Sequence, residues 1–339
     1  MRRNVVLVGD ALERLRQLPS GSVDVVVTSP PYVMLRNYGV EGQFGLEPSV
    51  QEWVAKLAAV FDEVARVLKP EGSLWLNLGD SYARKDEHGA PPKSLVLAPE
   101  RLLLRLVEDG WVLRNKVVWA KPNPLPASVQ DRLTCSWEPL YFLVRSRFYF
   151  FDLDAIRVPH RSKRSGLSQQ PPRVRSRPPA WSGPLAGTQA GLDQLRARGL
   201  SGHPLGKNPS EVWTIATAGY RAAHFATFPP ALVERPLLAT CPQRVCQACG
   251  TAWRRQRVSQ PLGHLAVVGA VVPNCRCRAE SVPGLVLDPF MGAGTVAVVA
   301  ERLGRDWLGI ELNPEFAAPR PPGSGHQTRH GPLRQLLDP

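Results

Sequence analysis

The sequence predicts an α/β protein built on a doubly wound, mostly parallel sheet. Three observations carry this. Apolar runs of strand length alternate with amphipathic helical stretches along most of the chain. "VDVVVTSPPY", residues 23–32, opens as a strand that is apolar on both faces, as in a parallel sheet covered by helices. "GLVLDPFMGAGTVAVVAERLGRDWLGIELNPEF" reads as strand, glycine loop, helix and strand, one βαβ unit of about 35 residues.

The elements follow in order. A strand at Val5 to Val8 leads to a helix around Ala11 to Leu18. After "VDVVVTS", the stretch "SVQEWVAKLAAVFDEVARVLKP" places Val50, Trp53, Val54, Leu57, Phe61, Val64 and Leu68 on one helical face, with Pro70 beyond the end. "SLWLNLGD" is a strand, and "LAPERLLLRLVEDG" is a helix closed by Gly110. "WVLRNKVVWAKP" and "EPLYFLVRS" are strands, separated by a loop that contains "KPNPLPASVQDR". "SEVWTIAT" resumes ordered structure, and "HFATFPPALVERPLLATCP" is a loop plus a helix broken at Pro236. After Phe316 the chain turns to Pro, Gly and Arg and is expected to be mostly disordered.

The 339 residues are enough for one large domain or two small ones. No apolar run reaches the ~18 residues of a membrane span. The opening "MRRNVVLVGD" breaks too early for a signal peptide, which points to a cytoplasmic protein with no membrane partner. The formal charge is +13, which attracts polyanions, nucleic acid first among them. From Arg161 to Lys207 there are nine Lys or Arg against one acid, Asp193, with six Pro and seven Gly. Such a stretch builds little core. Its basic side chains, Arg161, Lys163 and Arg164 among them, suit a phosphate backbone; the alternative is a solvated insertion with no partner.

In "LDPFMGAGT", Asp288 ends a strand, and Gly292 and Gly294 flank the turn into a helix that begins near Thr295. Glycines there let the backbone approach a ligand at the helix N-terminus. Glu311 follows 23 residues after Asp288, where an acid holds a ribose hydroxyl pair. An acid ahead of the loop repels a pyrophosphate but suits a cationic ligand. S-adenosyl-L-methionine has a sulfonium, an ammonium group and a ribose.

The other stretch is "TSPPY". Pro30 and Pro31 fix φ and remove two backbone donors, so what remains at the strand end is acceptors: the Ser29 hydroxyl and the carbonyls around it. Tyr32 offers a flat face on which a base can stack. Acceptors beside an aromatic plate suit an exocyclic NH₂, whose lone pair is delocalised into its ring. Hydrogen bonds from its protons to fixed acceptors absorb developing positive charge as the nitrogen attacks a sulfonium methyl. The base must first leave the duplex.

"TSPPY" and "DPFMGAGT" resemble motifs IV and I of the DNA amino-methyltransferases, and their order, catalytic motif first, resembles the beta class. The likeness covers most of residues 4 to 316 and implies a Rossmann-like methyltransferase fold with permuted motif order. It implies that Asp10 lies near the adenosyl adenine. It places His224 to Phe228, with His224, Phe225 and Phe228 named for contact, over the methionine part of the cofactor. Phe290 and Asn313 lie inside the matching segments "DPFMGAGT" and "GIELNPEF". In the family, Ser before Pro-Pro-Tyr is typical of cytosine N4 enzymes and Asp of adenine N6 enzymes, so Ser29 favours N4-cytosine. The alternatives are adenine N6 and a DNA-binding homologue that has lost activity. The resemblance also implies double-stranded DNA with a flipped base as substrate, and a cognate restriction endonuclease as a possible partner.

Cys246-x₂-Cys249 and Cys275-x-Cys277 lie 25 residues apart and suit a structural Cys₄ zinc site, in a segment resembling a zinc-ribbon insertion. Free thiols in a surface loop are the alternative. Cys241 could replace one ligand, and Cys135 looks isolated and structural. The chain is thus expected to divide into a catalytic half (1–160), a basic candidate target-recognition insertion (161–210), a cofactor-closing element (211–240), a zinc-ribbon-like insertion (241–280), a cofactor-binding half (281–316) and a tail (317–339). Lys121 and Asn123, in a rigid loop with Pro124, are candidate DNA or base contacts, with a plain surface loop as the alternative; Asp80 is a further candidate for the site. Trp53 and Trp75 are read as core.

Overall fold

The computed structural model describes residues 1–86, 89–159, 205–217, 228–258 and 267–317. Two compact units are present: residues 1–152, 210–253 and 273–339 form one, and 153–209 with 254–272 form the other. The cysteine-bearing ends of segment 241–280 therefore belong to the first unit and its middle to the second.

The first unit is organised by an eight-stranded sheet. Its strands and helices in chain order begin with β1 (Val5–Val8), α1 (Ala11–Arg16), β2 (Val23–Thr28), α2 (Val50–Val67), β3 (Leu68–Asn77) and α3 (Ala98–Glu108). Next come β4 (Val112–Ala120), β5 (Trp137–Val144), β6 (Val212–Thr214), α4 (Pro230–Thr240) and β7 (Val245–Cys246). In the second unit, β8 (Arg254–Val258) and β9 (Val267–Val272) make an antiparallel ribbon. The first unit resumes with β10 (Ser281–Val282), β11 (Leu285–Asp288), α5 (Thr295–Arg302), β12 (Asp306–Glu311) and α6 (Pro314–Ala317).

The sheet order is β1-β12-β11-β2-β3-β5-β4-β6. Seven strands run one way and β5 runs against its neighbours β3 and β4. Strands from the two ends of the sequence thus meet at the centre: β2 pairs with β11, Val25 opposite Val286 and Val26 opposite Leu287. Alternation along β2 divides its side chains between the two faces. Val26 joins the core under α1, α2 and α3, which contains Leu15, Trp53, Phe61 and Leu102. Val25 and Val27 join the core under α4 and α5, which contains Trp75, Trp213, Leu237 and Val299.

Two expectations need correction. Leu68 belongs to β3, not to the preceding helix, because Lys69 precedes Pro70 and the residue before a proline is pushed out of the α region. Leu68 is still fully buried, but as a strand residue. Pro236 does not break α4, which runs on to Thr240. The missing amide bond is outweighed by burial of Leu232, Val233 and Leu237, and the Thr240 hydroxyl donates to the Pro236 carbonyl at 2.8 Å.

Candidate active site

β2, β11 and β12 run parallel, so the segments following Thr28, Asp288 and Glu311 emerge along one edge of the sheet. The Thr28 hydroxyl donates to Asp288 Oδ1 at 2.7 Å, a buried bond between the two motif-bearing strands. β3 flanks β2 on its other side, with Thr28 opposite Leu76, so Asn77 arrives beside Ser29. β5 runs in the opposite direction, which brings its first residues, including Glu138, to the same edge.

Pro30 and Pro31 carry the chain away from the strand. The Trp53 indole, fully buried in α2, donates to the Pro31 carbonyl at 3.1 Å. That carbonyl, expected as an acceptor for an amine, is therefore already engaged by the core. The Ser29 side chain remains half-buried at the edge. Its Oγ lies 3.4 Å from the Tyr32 hydroxyl and 3.5 Å from Asn77 Oδ1. The Tyr32 hydroxyl donates to Glu138 Oε2 at 2.9 Å and lies 3.2 Å from Asn77 Oδ1. Burial, then the charge of Glu138, holds the Tyr32 phenol well above its ordinary ionisation range. The ring packs against the backbone of Gly79.

On the other side of Thr28 lie the residues expected to meet a cofactor. Gly292 and Gly294 have φ of +52° and +81°, the left-handed turn that only glycine adopts without strain. Gly294 caps α5, and Thr295 is its buried first residue. Glu311 Oε2 accepts from the Gly292 amide at 2.8 Å, and its Oε1 accepts from the Asn313 amide at 2.9 Å. Asn313 in turn caps the start of α6 through the Glu315 amide at 2.9 Å. Phe290 meets Phe44 edge to face, with ring centres 5.5 Å apart. Asp10 caps α1 by accepting from the Glu13 amide, and Gly9 beside it donates to the Glu311 carbonyl.

Asp288 is 2% exposed, and burial pushes its carboxyl up to about 7, with Glu311 adding to the rise. The Thr28 hydroxyl and the Phe290 amide, which donates to Oδ1 at 3.1 Å, oppose it. A raised acid binds more protons folded than unfolded. Its contribution to stability is therefore complete below the ordinary carboxylate range and is lost as pH rises through about 7. Without ligand, Asp288→Asn is expected to gain on the wild type between pH 5 and pH 8, by at most roughly 3 kcal/mol. Parallel thermal-melting curves for the two proteins across that range would refute the assignment.

The remaining expected residues have specific placements. Lys121 forms an ion pair with Glu138, and its ammonium lies 4.4 Å over the Trp119 ring. Asn123 faces the backbone of Thr217, accepting from its amide at 2.9 Å and donating to its carbonyl at 3.4 Å. Asp80 accepts from the Ser81, Leu97 and Ala98 amides, which fastens the start of α3. Trp75 is core, its indole donating to the Thr240 hydroxyl. Phe228 is half-buried against the core under α4 and α5. His224, Phe225, Arg161, Lys163 and Arg164 lie outside the described residues.

Away from this edge, the ligand atoms of Cys246, Cys249, Cys275 and Cys277 all lie within 4.8 Å of one another. The Gly250 amide closes a tight turn onto the Cys246 carbonyl, and β7 pairs with β10 behind it. Lys69 ties this knuckle to the sheet, donating to the Gly250 carbonyl at 3.2 Å and to Asp24 Oδ1 at 2.6 Å. Cys241 is buried in the core under α4 and stands outside the group. Cys135, expected to be structural, is exposed and lies 3.7 Å from both the Tyr82 hydroxyl and an Arg132 nitrogen.

Residues 23–318 match the family of N6 and N4 methyltransferases described as DNA methylases. The chain belongs to this family of DNA methylases. It is a beta-class DNA amino-methyltransferase by its motif order. The type II methyltransferase M.XycI of Xanthomonas campestris pv. cyanopsidis is 35% identical, over 93% of this methylase and 86% of the relative. M.Cfr9I of Citrobacter freundii is also 35% identical, over 91% and 83%. Among solved structures, the cytosine-N4-specific PvuII DNA methyltransferase shares the fold, with a TM-score of 0.56 and 20% identity over 92% of the methylase and 83% of that chain. A putative DNA modification methylase of Thermus thermophilus, solved with S-adenosyl-L-methionine, gives a TM-score of 0.50 at 22% identity, over 92% and 89%. The methylase thus has the fold of S-adenosylmethionine-dependent methyltransferases.

Asn77 and Glu138 escaped the motif reading. Neither has a local spacing pattern, and only the antiparallel placement of β5 brings Glu138 to Tyr32. The one available signal was the break in "WEPLYFLV", an acid just ahead of a buried apolar run.

Proposed function

We propose that the chain transfers the methyl group of S-adenosyl-L-methionine to the exocyclic N4 of a cytosine flipped out of double-stranded DNA. The observation that carries the choice of base is the group that ends β2. It is a hydroxyl, Ser29, with the neutral Asn77 amide and the Tyr32 hydroxyl around it, and the carboxylate of Glu138 stands behind these two groups, bonded to Tyr32 and Asn77. The cytosine N4 specificity of the PvuII enzyme, which shares the fold, agrees with this choice.

The residues present fit the cofactor. A buried acid under a glycine turn, Asp288, suits an ammonium group, and Glu311, with both oxygens oriented by backbone amides, suits a ribose hydroxyl pair. Gly292, Gly294 and Thr295 would line the helix-start side, Phe290 and Asp10 the adenine side, and Phe228 with His224 and Phe225 the methionine side. When bound, the cofactor supplies an electrophilic methyl group. The chain's own task is to hold the amine: Ser29 Oγ accepts one N–H, the Tyr32 face carries the base, and the proline turn keeps both in place.

The four cysteines would hold a structural zinc. Four thiolates at ~2.3 Å from one metal stand roughly 3.8 Å apart, which the grouping of all four sulfurs within 4.8 Å accommodates. The purified protein is expected to carry about one zinc per chain and to melt several degrees lower after chelation, with Cys277→Ser showing the same loss. Protein that holds no zinc and whose four thiols react freely would refute the site. The basic segment containing Arg161, Lys163 and Arg164 would follow the phosphates, and DNA affinity would then fall steeply with salt. The type II relatives support a cognate restriction endonuclease as partner, and a DNA substrate goes with a place in the cytoplasm. Among the described residues no helix is long and apolar enough to cross a membrane.

Nucleoside mass spectrometry tests the proposal. Mixed-sequence DNA incubated with the protein and methyl-labelled cofactor is digested and analysed. Labelled N4-methylcytosine is the expected product. Labelled N6-methyladenine would overturn the choice of base and keep the chemistry; bound cofactor with no label in either base would favour an inactive DNA-binding homologue.

A further inference from the structure

A serine hydroxyl beside an amine can face it in two ways. With its hydrogen turned toward the NH₂ it presents a donor to a donor, and the contact is lost. With its hydrogen turned inward it presents lone pairs. What decides between them is where the hydrogen can go. This question rests on the proposed amine methylation, and the structure offers a specific answer to it.

We propose that Glu138 is the positioning residue of the transfer: anchored by Lys121, its carboxylate draws the Tyr32 hydroxyl hydrogen toward itself, which leaves the Tyr32 oxygen to take the Ser29 hydrogen and the Ser29 oxygen to face the base as an acceptor. Four segments build this arrangement: the turn after β2, the end of β3, the loop after β4 and the start of β5. Lys121 pairs with Glu138 Oε1, and their side chains are 16% and 20% exposed. Glu138 Oε2 is left for the Tyr32 hydroxyl at 2.9 Å. Tyr32 has a second acceptor in reach, Asn77 Oδ1 at 3.2 Å, but a charged acceptor takes the single hydrogen in preference to an amide.

Asn77 reinforces the direction. Its Nδ2 donates to the Pro139 carbonyl at 3.0 Å and lies 3.4 Å from Glu138 Oε2, so its Oδ1 is turned toward the two hydroxyls. Whether the Ser29 hydrogen goes to Tyr32 at 3.4 Å or to Asn77 at 3.5 Å, it goes inward. Both contacts are long, as catalytic hydrogen bonds often are before substrate binds. No covalent change at Glu138 is involved; it acts through Tyr32 and Ser29.

The test is Glu138→Gln, nearly the same shape but able to donate to the Tyr32 oxygen and so reverse the chain. On mixed-sequence DNA with labelled cofactor, kcat is expected to fall about 10–100-fold. Cofactor affinity should stay within about twofold and the melting temperature within a few degrees of wild type. Tyr32→Phe should lose a similar factor, and the double variant should be no slower than the slower single, because both changes cut one chain. Full activity in Glu138→Gln, losses that multiply in the double variant, or a rate loss matched by lost cofactor affinity would each overturn the proposal.

A second measurement needs no DNA. With tyrosines labelled at Cζ, NMR titration should find Tyr32 ionising well above the ordinary phenol range. The substitution itself leaves Tyr38, a phenol whose charge also acts on Tyr32, and Lys121, on the far side of Glu138, unaltered. Glu138→Gln should bring Tyr32 down; an unchanged titration would overturn the link. If the wild type labels adenine, the cytosine assignment fails and the Glu138 comparison still decides this proposal. If it labels no DNA, the titration decides it.

Discussion

Ser29→Ala is expected to leave a folded protein that binds S-adenosylmethionine normally and transfers methyl groups about 10²–10³-fold more slowly, the usual cost of removing one aimed hydrogen-bonding group from a reacting centre. The separation of effects follows from the geometry. Thr28, one residue earlier, makes the bond to Asp288 and so serves the cofactor side. Among the described residues, the Ser29 side chain bonds to the Tyr32 hydroxyl and the Asn77 amide oxygen, and both contacts are long. Its loss removes little stability, since surface and half-buried hydroxyls with weak partners contribute at most about 1 kcal/mol. Isothermal titration with the cofactor and initial-rate measurement on DNA report the two halves separately. A variant that keeps more than a tenth of the wild-type rate would remove Ser29 from the chemistry.

Gly79→Ala should be nearly as damaging although it adds a single methyl group. A Cβ at Gly79 would stand 2.8 Å from Tyr32 Cδ2 and closer still to Cε2. A flexible side chain could swing aside, but this one is an aromatic plate fixed at its far end by Glu138 and Asn77. The ring must tilt or slide by about an ångström, and displacement of that size costs about 10²-fold in rate when it moves a substrate-positioning group. Overpacking of this kind also costs about 1–3 kcal/mol of stability. The signature is a large loss of kcat beside a small shift in melting temperature. Normal kcat in Gly79→Ala would show that the Tyr32 ring has no fixed role.

The legible part of the sequence was the part where chemistry is local. "TSPPY" and "DPFMGAGT" each hold their groups within ten residues, so their spacing pointed to the fold and to the edge of the sheet where they meet. Long amphipathic stretches such as Val50–Val67 were equally plain. What escaped depends on contacts remote in sequence. Pro236 reads as a break, yet Leu232 and Leu237 are buried against a sheet made elsewhere in the chain, and that outweighs one missing bond. Lys121 reads as a free cation for DNA, but the reversal of β5 sets Glu138 beside it. Asp80 reads as the end of a strand, where a site acid would sit, and the amides of Leu97 and Ala98 at a helix start, with that of Ser81, claim it instead.

The pairing of β2 with β11 also has a meaning for the chain as it is made. The amide of Leu285 reaches the carboxylate of Asp24 across 261 positions. At synthesis rates of ~5–20 residues per second, the ribosome delivers Ser29 roughly 13–50 s before Asp288. Through that interval the fully buried strand Val23–Thr28 has no β11 beside it. The nascent chain thus carries an open, sticky flank for most of its translation, a natural target for chaperones. It also means that the two motifs come together only late in synthesis, so a truncated product would lack the cofactor half.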